Sequence, residues 1–397
     1  MEFNSFFSTK KLLFTVGLLI KVVCSLGLIY LYFFHYGQGD MINYQLQSNK
    51  LLPEFYNNPI AFLLNSDLGF PENIYSGQPR SIFFLKCIVV SSLITGGDIY
   101  LTTFLFSIFS FIGSYRVFAA IHTYYPKVRY EAAFAFLFLP AYIFWTSGIL
   151  KESLANGAIC FMVAEVLHQV HKKKFRIFSN LIFIFSGWLL IRLKYYYFGA
   201  LLPVLVVYFL YKKWWKYLSD KKISLRISVF LGLLLAGSLI GMVFHEYLNP
   251  LLWTDIIAES NQSYLATGSA GNPVQILAHA PLALYNAWLA PQIWQAKNSV
   301  QFLSSLESTF FGLILLLSIY KNPNPTKWSL EAWAIITYSL ILGLMLGLSI
   351  TNFGSLVRYR TSFYPFLFLL AASGIPQFKS AIKAIFDKLI RIKWPNL

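Results

Sequence analysis

The sequence predicts an all-α, polytopic integral membrane protein of about ten transmembrane helices, on three observations. First, 57% of its 397 residues are hydrophobic and 12% are charged, against about 25% charged in a soluble domain. Second, the apolar residues fall in runs near the roughly 20 residues that a spanning helix needs. Third, Lys and Arg cluster between those runs, and the clusters alternate in density along the chain. That is the positive-inside pattern. It accounts for most of the formal net charge of +16, so nucleic acid is not an expected partner.

Taken in order, spans are expected near 12–34, 98–121, 131–149, 152–170, 177–192, 195–211, 227–245, 303–320, 330–350 and 361–378. The first run is too long for a signal-peptide core and lacks a small-residue cleavage site, so it reads as a retained helix. Two long segments, 35–97 and 246–302, mix aromatics, Pro, Asn and Gly with apolar residues, as interface-hugging segments do. Within the first, 82–97 carries Lys86 and ends in Gly96-Gly97. It fits an amphipathic helix lying at the interface better than a span. The tail 377–397 reads as a short basic amphipathic helix on anionic lipid. The whole chain, 1–397, is expected to form one transmembrane domain.

With both termini in the cytoplasm, twenty-one of the 32 Lys and Arg residues lie inside. Nine lie outside: Lys50, Arg80, Lys86, Lys151, Arg192, Lys194, Lys297, Arg358 and Arg360. Lys21 and Arg116 fall within spans. Cys24, Cys87 and Cys160 show no paired spacing, so neither a disulfide framework nor a metal site is implied.

The outer cations run against the positive-inside bias. Lys50 and Lys297 sit in polar loop sequence. Arg192 and Lys194 (LIRLKYYYF) and Arg358 and Arg360 (SLVRYRTSFYPF) form i, i+2 pairs beside aromatics at span ends. Such residues either snorkel to headgroups or hold a phosphate, for which the planar Arg fork is suited. Asp40, in HYGQGDMINYQLQ, begins a helical pattern with Tyr44 and Gln47. It reads as a helix N-cap, or as a general base or metal-binding carboxylate at the membrane boundary. Lys151 and Glu152 adjoin between two short spans, as a solvated loop or a substrate contact. Glu307 enters the eighth span and is a site candidate by its position. Tyr44, Trp253 and Trp288 are aromatics that belong to an interfacial belt or stack on sugar rings.

These residues carry a resemblance. An acid just after the first span with a Tyr following (Gly39-Asp40, Tyr44), apolar helices before the second span, and a late Arg-Tyr followed by Pro (Arg358-Tyr359, Tyr364-Pro365) resemble the GT-C superfamily of polytopic glycosyltransferases. The stretch LPAYIFWTSGILKESLA is also similar to membrane proteins of bacterial exopolysaccharide synthesis, EpsG-like and Wzy-type polymerases among them. Many GT-C members have two acids in the first loop. Here Asp40 stands without an acidic neighbour, and Glu54 or Asp67 would have to supply the second.

The resemblance implies a sugar or oligosaccharide donor linked to polyprenyl phosphate or pyrophosphate. The acceptor would be a glycan, lipid or protein outside the cytoplasmic (inner) membrane, with membrane lipid as the surroundings. Asp40 and Glu152 would be catalytic. Tyr44, Arg80, Lys86, Lys151, Arg192, Lys194, Arg358, Tyr359 and Arg360 would bind substrate. No cofactor is firmly implied; a divalent metal is compatible with the pattern. An exopolysaccharide or O-antigen polymerase is a second reading, and a lipid-linked glycan flippase or other transporter a third.

Overall fold

A computed structural model of the chain describes residues 2–64, 75, 78–171, 177–213, 232, 273–322, 328–350 and 352–391. Every regular element among them is a helix. In chain order the main helices are α1 (Glu2–Tyr30), α2 (Asp40–Asn57), α3 (Pro59–Leu64), α4 (Pro79–Thr95), α5 (Ile99–Tyr124), α6 (Arg129–Ala133), α7 (Pro140–Trp145), α8 (Lys151–His171) and α9 (Ile177–Lys213). They continue with α10 (Pro273–Leu289), α11 (Ser299–Lys321), α12 (Leu330–Ser349), α13 (Phe353–Tyr359), α14 (Tyr364–Ser373) and α15 (Pro376–Arg391).

By length and composition, 6 stretches among the described residues can cross a membrane: Lys10–Tyr36, Ile99–Tyr124, Lys151–His171, Ile177–Lys213, Ser299–Lys321 and Leu330–Ser349. A seventh is possible if α14 and α15, bent by 107°, count as one. The protein is therefore a multi-pass membrane protein. Its surface agrees. Leu19, Val23, Leu26, Tyr30 and Phe34 are all exposed on the first helix, three or four residues apart, which is one apolar stripe of a helix. Phe302, Leu306, Phe310, Leu313 and Leu317 form a second such stripe on α11. A soluble monomer does not display apolar patches of this size; hydrocarbon accepts them.

The expected spans map onto this set unevenly. The stretch 131–149 is not one helix. It runs through α6, a widened π turn at Phe134–Phe138, and α7. Leu139 is extended (φ −67°, ψ 116°) because Pro140 follows it, and a residue before proline is pushed out of the helical region. The expected spans 177–192 and 195–211 share α9, whose backbone leaves the helical region at Lys194 (φ −150°, ψ 72°). The stretch 361–378 divides between α14 and α15 at the bend. The expected span 227–245 lies, apart from Gly232, outside the described residues. The segment 35–97 does hold helices α2, α3 and α4, and α4 at 17 residues is shorter than the spanning set.

Contacts divide the chain into two compact units. Unit 1 comprises residues 1–117, 143–162 and 177–195. Unit 2 comprises residues 118–142, 163–176 and 196–397. In unit 1, α2 packs on α4 through Tyr44 and Phe84, with ring centroids 4.8 Å apart. Gln45 of α2 donates to the Gly97 carbonyl at 2.8 Å. In unit 2, α15 carries the predicted amphipathic pattern: Ile382 and Phe386 are buried, Phe386 stacks on Tyr130 at 6.0 Å, and Lys383 and Lys388 are exposed, while Lys379 meets Glu131 at 3.8 Å.

The α10–α12 pair approaches closely through small residues. Gly343 and Gly347 stand one turn apart on α12. A Cβ at Gly343 would sit 2.7 Å from Trp288 Nε1, and one at Gly347 would collide with the Ala283 carbonyl. Small residues at this spacing let backbones meet where no hydrophobic effect drives helices together. Gly347→Leu is expected to lower stability by ~1–3 kcal/mol through overpacking, read as a reduced thermal midpoint in detergent. Leu317→Ala, on the exposed stripe of α11, should leave that midpoint near wild type.

Candidate functional site

Eight of the eleven sequence-predicted site residues belong to unit 1, where α2, α4, α8 and α9 supply them. At the first helix end, the chain turns at Gly39 and starts α2 with Asp40. Gly39 has φ +124°, and a Cβ there would lie 2.8 Å from the Tyr32 ring. Glycine is thus required on two counts. Gly39 takes the cap position and Asp40 is the first helical residue, where a carboxylate favours the positive end of the helix dipole.

The second end is the start of α8. Ser153 closes the preceding turn: its hydroxyl donates to the Gly148 carbonyl at 2.6 Å and accepts from the Gly148 amide at 3.3 Å. Lys151 and Glu152 therefore open the helix instead of waving in a loop. Lys151 Nζ donates to Ser81 Oγ at 2.9 Å and lies 5.4 Å from the centre of the Tyr44 ring. Its electrostatic neighbours are Lys194 and Arg80, which repel it, and Glu152 and Asp40, which attract it.

The third is the break in α9. Lys194 is 3% exposed and Glu152 is 2% exposed. Lys194 Nζ meets Glu152 Oε1 at 2.7 Å, so the break and the start of α8 are pinned together by a buried ion pair. Arg192, two residues earlier, is exposed. Its guanidinium lies over the Phe83 ring at 5.0 Å. Residues at i and i+2 on a helix do not share a face, and this pair divides accordingly.

Arg80 and Lys86 come from α4. The Arg80 guanidinium lies 5.4 Å from the Tyr195 ring centre. Lys86 donates to the Leu63 carbonyl at 3.0 Å. Burial holds the Lys86 ammonium below the ordinary lysine range; Arg192 adds to this and Glu54 opposes it. Tyr44 is 4% exposed and stacks on Tyr75, with centroids 4.6 Å apart. Its hydroxyl reaches Ser81 Oγ at 3.4 Å. Burial pushes its phenol well above the usual tyrosine range. Ser81, Tyr75 and Tyr195 are participants that the sequence reading missed. They are neutral, and neither charge nor spacing marks them.

Arg358, Tyr359 and Arg360 belong to unit 2 and divide as the i, i+2 rule requires. Arg358 is half-buried, with its guanidinium over its neighbour Tyr359 at 5.1 Å. Arg360 is fully buried. It donates to the Ala290 carbonyl at 2.6 Å and to Ser308 Oγ at 2.8 Å, and it covers the Tyr364 ring at 4.7 Å. Glu307 lies in the same electrostatic environment and accepts from the Ala141 amide at 2.8 Å, just past the break at Pro140. This set joins four segments of unit 2 and is architectural. Trp288 is likewise held, its indole N–H donating to the Ser339 carbonyl at 3.2 Å. Trp253 and Asp67 lie outside the described residues. Among the described residues, no three His, Cys, Asp or Glu side chains converge to hold a metal ion.

No protein-family model, curated protein or solved structure matches the chain. The unit 1 cluster therefore stands on its own chemistry. Lys151 interacts with the cations Arg80 and Lys194 and with the carboxylates Asp40 and Glu152, while Lys86 and Arg192 neighbour one another and Glu54.

The ion pair yields a stability prediction. Removing one partner of a buried pair costs about 3–5 kcal/mol, while replacing both is far milder. Glu152→Gln or Lys194→Met alone should sharply lower the thermal midpoint in detergent. The double variant should recover most of it.

Proposed function

We propose that the protein is a membrane glycosyltransferase. It moves a sugar or oligosaccharide from a polyprenyl-(pyro)phosphate donor to an acceptor on the extracytoplasmic face, in cell-envelope polysaccharide or glycoconjugate synthesis. The supporting observation is the unit 1 cluster: Lys151 against the Tyr44 ring, with Arg80, Lys194, Glu152 and Asp40 as its electrostatic neighbours.

The chemistry follows from charge. The lipid tail of such a donor stays in the bilayer, so the anomeric carbon reacts at the interface. As the glycosidic C–O bond breaks, negative charge grows on the leaving phosphate. Fixed cations stabilise that charge without reorganising. Lys151 and Arg80 are the proposed phosphate contacts. Lys151 is held by Ser81 and by the Tyr44 ring, and Arg80 by Tyr195. The Glu152–Lys194 pair acts as a positioning element, fixing the helix start that presents Lys151. Asp40 accepts the proton of the attacking acceptor hydroxyl as the new C–O bond forms. Its carboxylate lies in the electrostatic field of Lys151 and Tyr44, close to the proposed leaving group. Arg192, exposed and resting on Phe83, is placed to meet a headgroup at the rim.

In proteoliposomes given a polyprenyl-phosphate-linked sugar, Asp40→Asn is expected to lower kcat by ~10²–10⁴-fold, the range for a lost general base. Lys151→Met should lower kcat/KM by ~10²–10³-fold, as for a lost charge stabiliser. Both proteins should insert and unfold as wild type does. Full transfer by Asp40→Asn removes Asp40 from the mechanism. A ladder of repeats as product, in place of single additions, would assign the polymerase reading.

A further inference from the structure

Unit 2 contains a cavity of about 450 Å³ that shares no residue with the unit 1 cluster. This size falls in the ~300–1,000 Å³ range of ligand pockets. Most of its wall is aliphatic, including Leu167 from α8, Leu201, Val204 and Leu205 from α9, Ile335 from α12, and Leu369 from α14. Along that aliphatic stretch a polar group would lose its water without gaining a partner. A hydrocarbon chain needs no partner.

The polar groups of the cavity gather together. Tyr125, Tyr208, Ser329 and Glu331 all line it. Tyr125 OH donates to Glu331 Oε1 at 2.8 Å, the two tyrosine hydroxyls are 2.7 Å apart, and Lys212 Nζ lies 2.7 Å from Glu331 Oε1. Lys212 is partly open to solvent, with 31% of its side chain exposed. Lys213 follows it, its ammonium 5.9 Å from the Phe209 ring centre. Ser329 caps α12 by accepting from the Ala332 amide, so the positive end of that helix dipole is here as well. One Glu is set against two Lys and a helix N-terminus, so this end carries excess positive charge. The charge pattern of the sequence assigns it to the cytoplasmic leaflet, where anionic lipids concentrate.

We infer that this cavity is a binding site for an anionic phospholipid of the cytoplasmic leaflet, with one acyl chain among α8, α9, α12 and α14 and the phosphate at Lys212 and Lys213. The site does not depend on the glycosyl-transfer reading.

Native mass spectrometry of the purified full chain tests it, with equimolar dioleoyl phosphatidylglycerol and dioleoyl phosphatidylcholine as probes. The wild type should retain one phosphatidylglycerol about fivefold or more over phosphatidylcholine, the factor that one well-placed lysine supplies. Leu205→Trp, which fills the cavity, should lose the retained lipid. The charge-balanced double variant Lys212→Gln/Glu331→Gln should keep a lipid and lose the preference. Equal retention of both lipids by the wild type overturns the inference, as does undiminished retention by folded Leu205→Trp. If Leu205→Trp does not fold, competition on the wild type decides. Short-chain dihexanoyl phosphatidylglycerol should fail to displace the bound lipid. Displacement by it, or by polyprenyl phosphate in preference to phosphatidylglycerol, contradicts the assignment.

Discussion

The ion pair between Glu152 and Lys194 is the interaction on which unit 1 depends. A helix break frees backbone groups, and a buried charge left without a partner is costly. The chain places both liabilities at one point. The backbone of α9 leaves the helical region at Lys194, and that same lysine, almost fully buried, meets the carboxylate that opens α8. Each partner makes the other tolerable. With the start of α8 fixed, Lys151 is held at a defined place against Ser81 and Tyr44, although its side chain has high conformational freedom by nature.

Buried ion pairs are not strong sources of net stability, because desolvation offsets most of the attraction. Their value here is geometric. Arg80 and Lys151 repel one another, and they would separate if they were free. Holding like charges together is work that the fold does in advance, and the proposed donor phosphate would relieve that repulsion. Membrane surroundings amplify the effect, since charges interact more strongly away from bulk water. The Arg360 set in unit 2 is a contrast. There the guanidinium's donors go to Ala290 and Ser308, and the cation ties segments together.

Much of this was legible in the sequence. Apolar run length and Lys/Arg clustering gave the membrane class, and Asp40, Lys151 and Glu152 stood out as charges at helix ends. The pairing of Arg192 with Lys194 and of Arg358 with Arg360 as joint cationic groups was less sound. At i, i+2 side chains project to different sides, so Lys194 and Arg360 are buried while Arg192 is exposed and Arg358 half-buried. The division of 131–149 at Pro140 was also readable from the residue type. The roles of Ser81, Tyr75 and Tyr195 were not, because a neutral side chain acquires such a role through packing between segments far apart in sequence.

The central claim is that the unit 1 cluster is an anion site for a lipid-borne phosphate. Calorimetric titration of the purified protein with polyprenyl monophosphate and with the uncharged polyprenol of equal length tests this most directly. The phosphate should bind measurably more tightly than the alcohol, and Lys151→Met should remove most of that difference. Equal affinity for the two lipids, or a difference untouched by Lys151→Met, would contradict it.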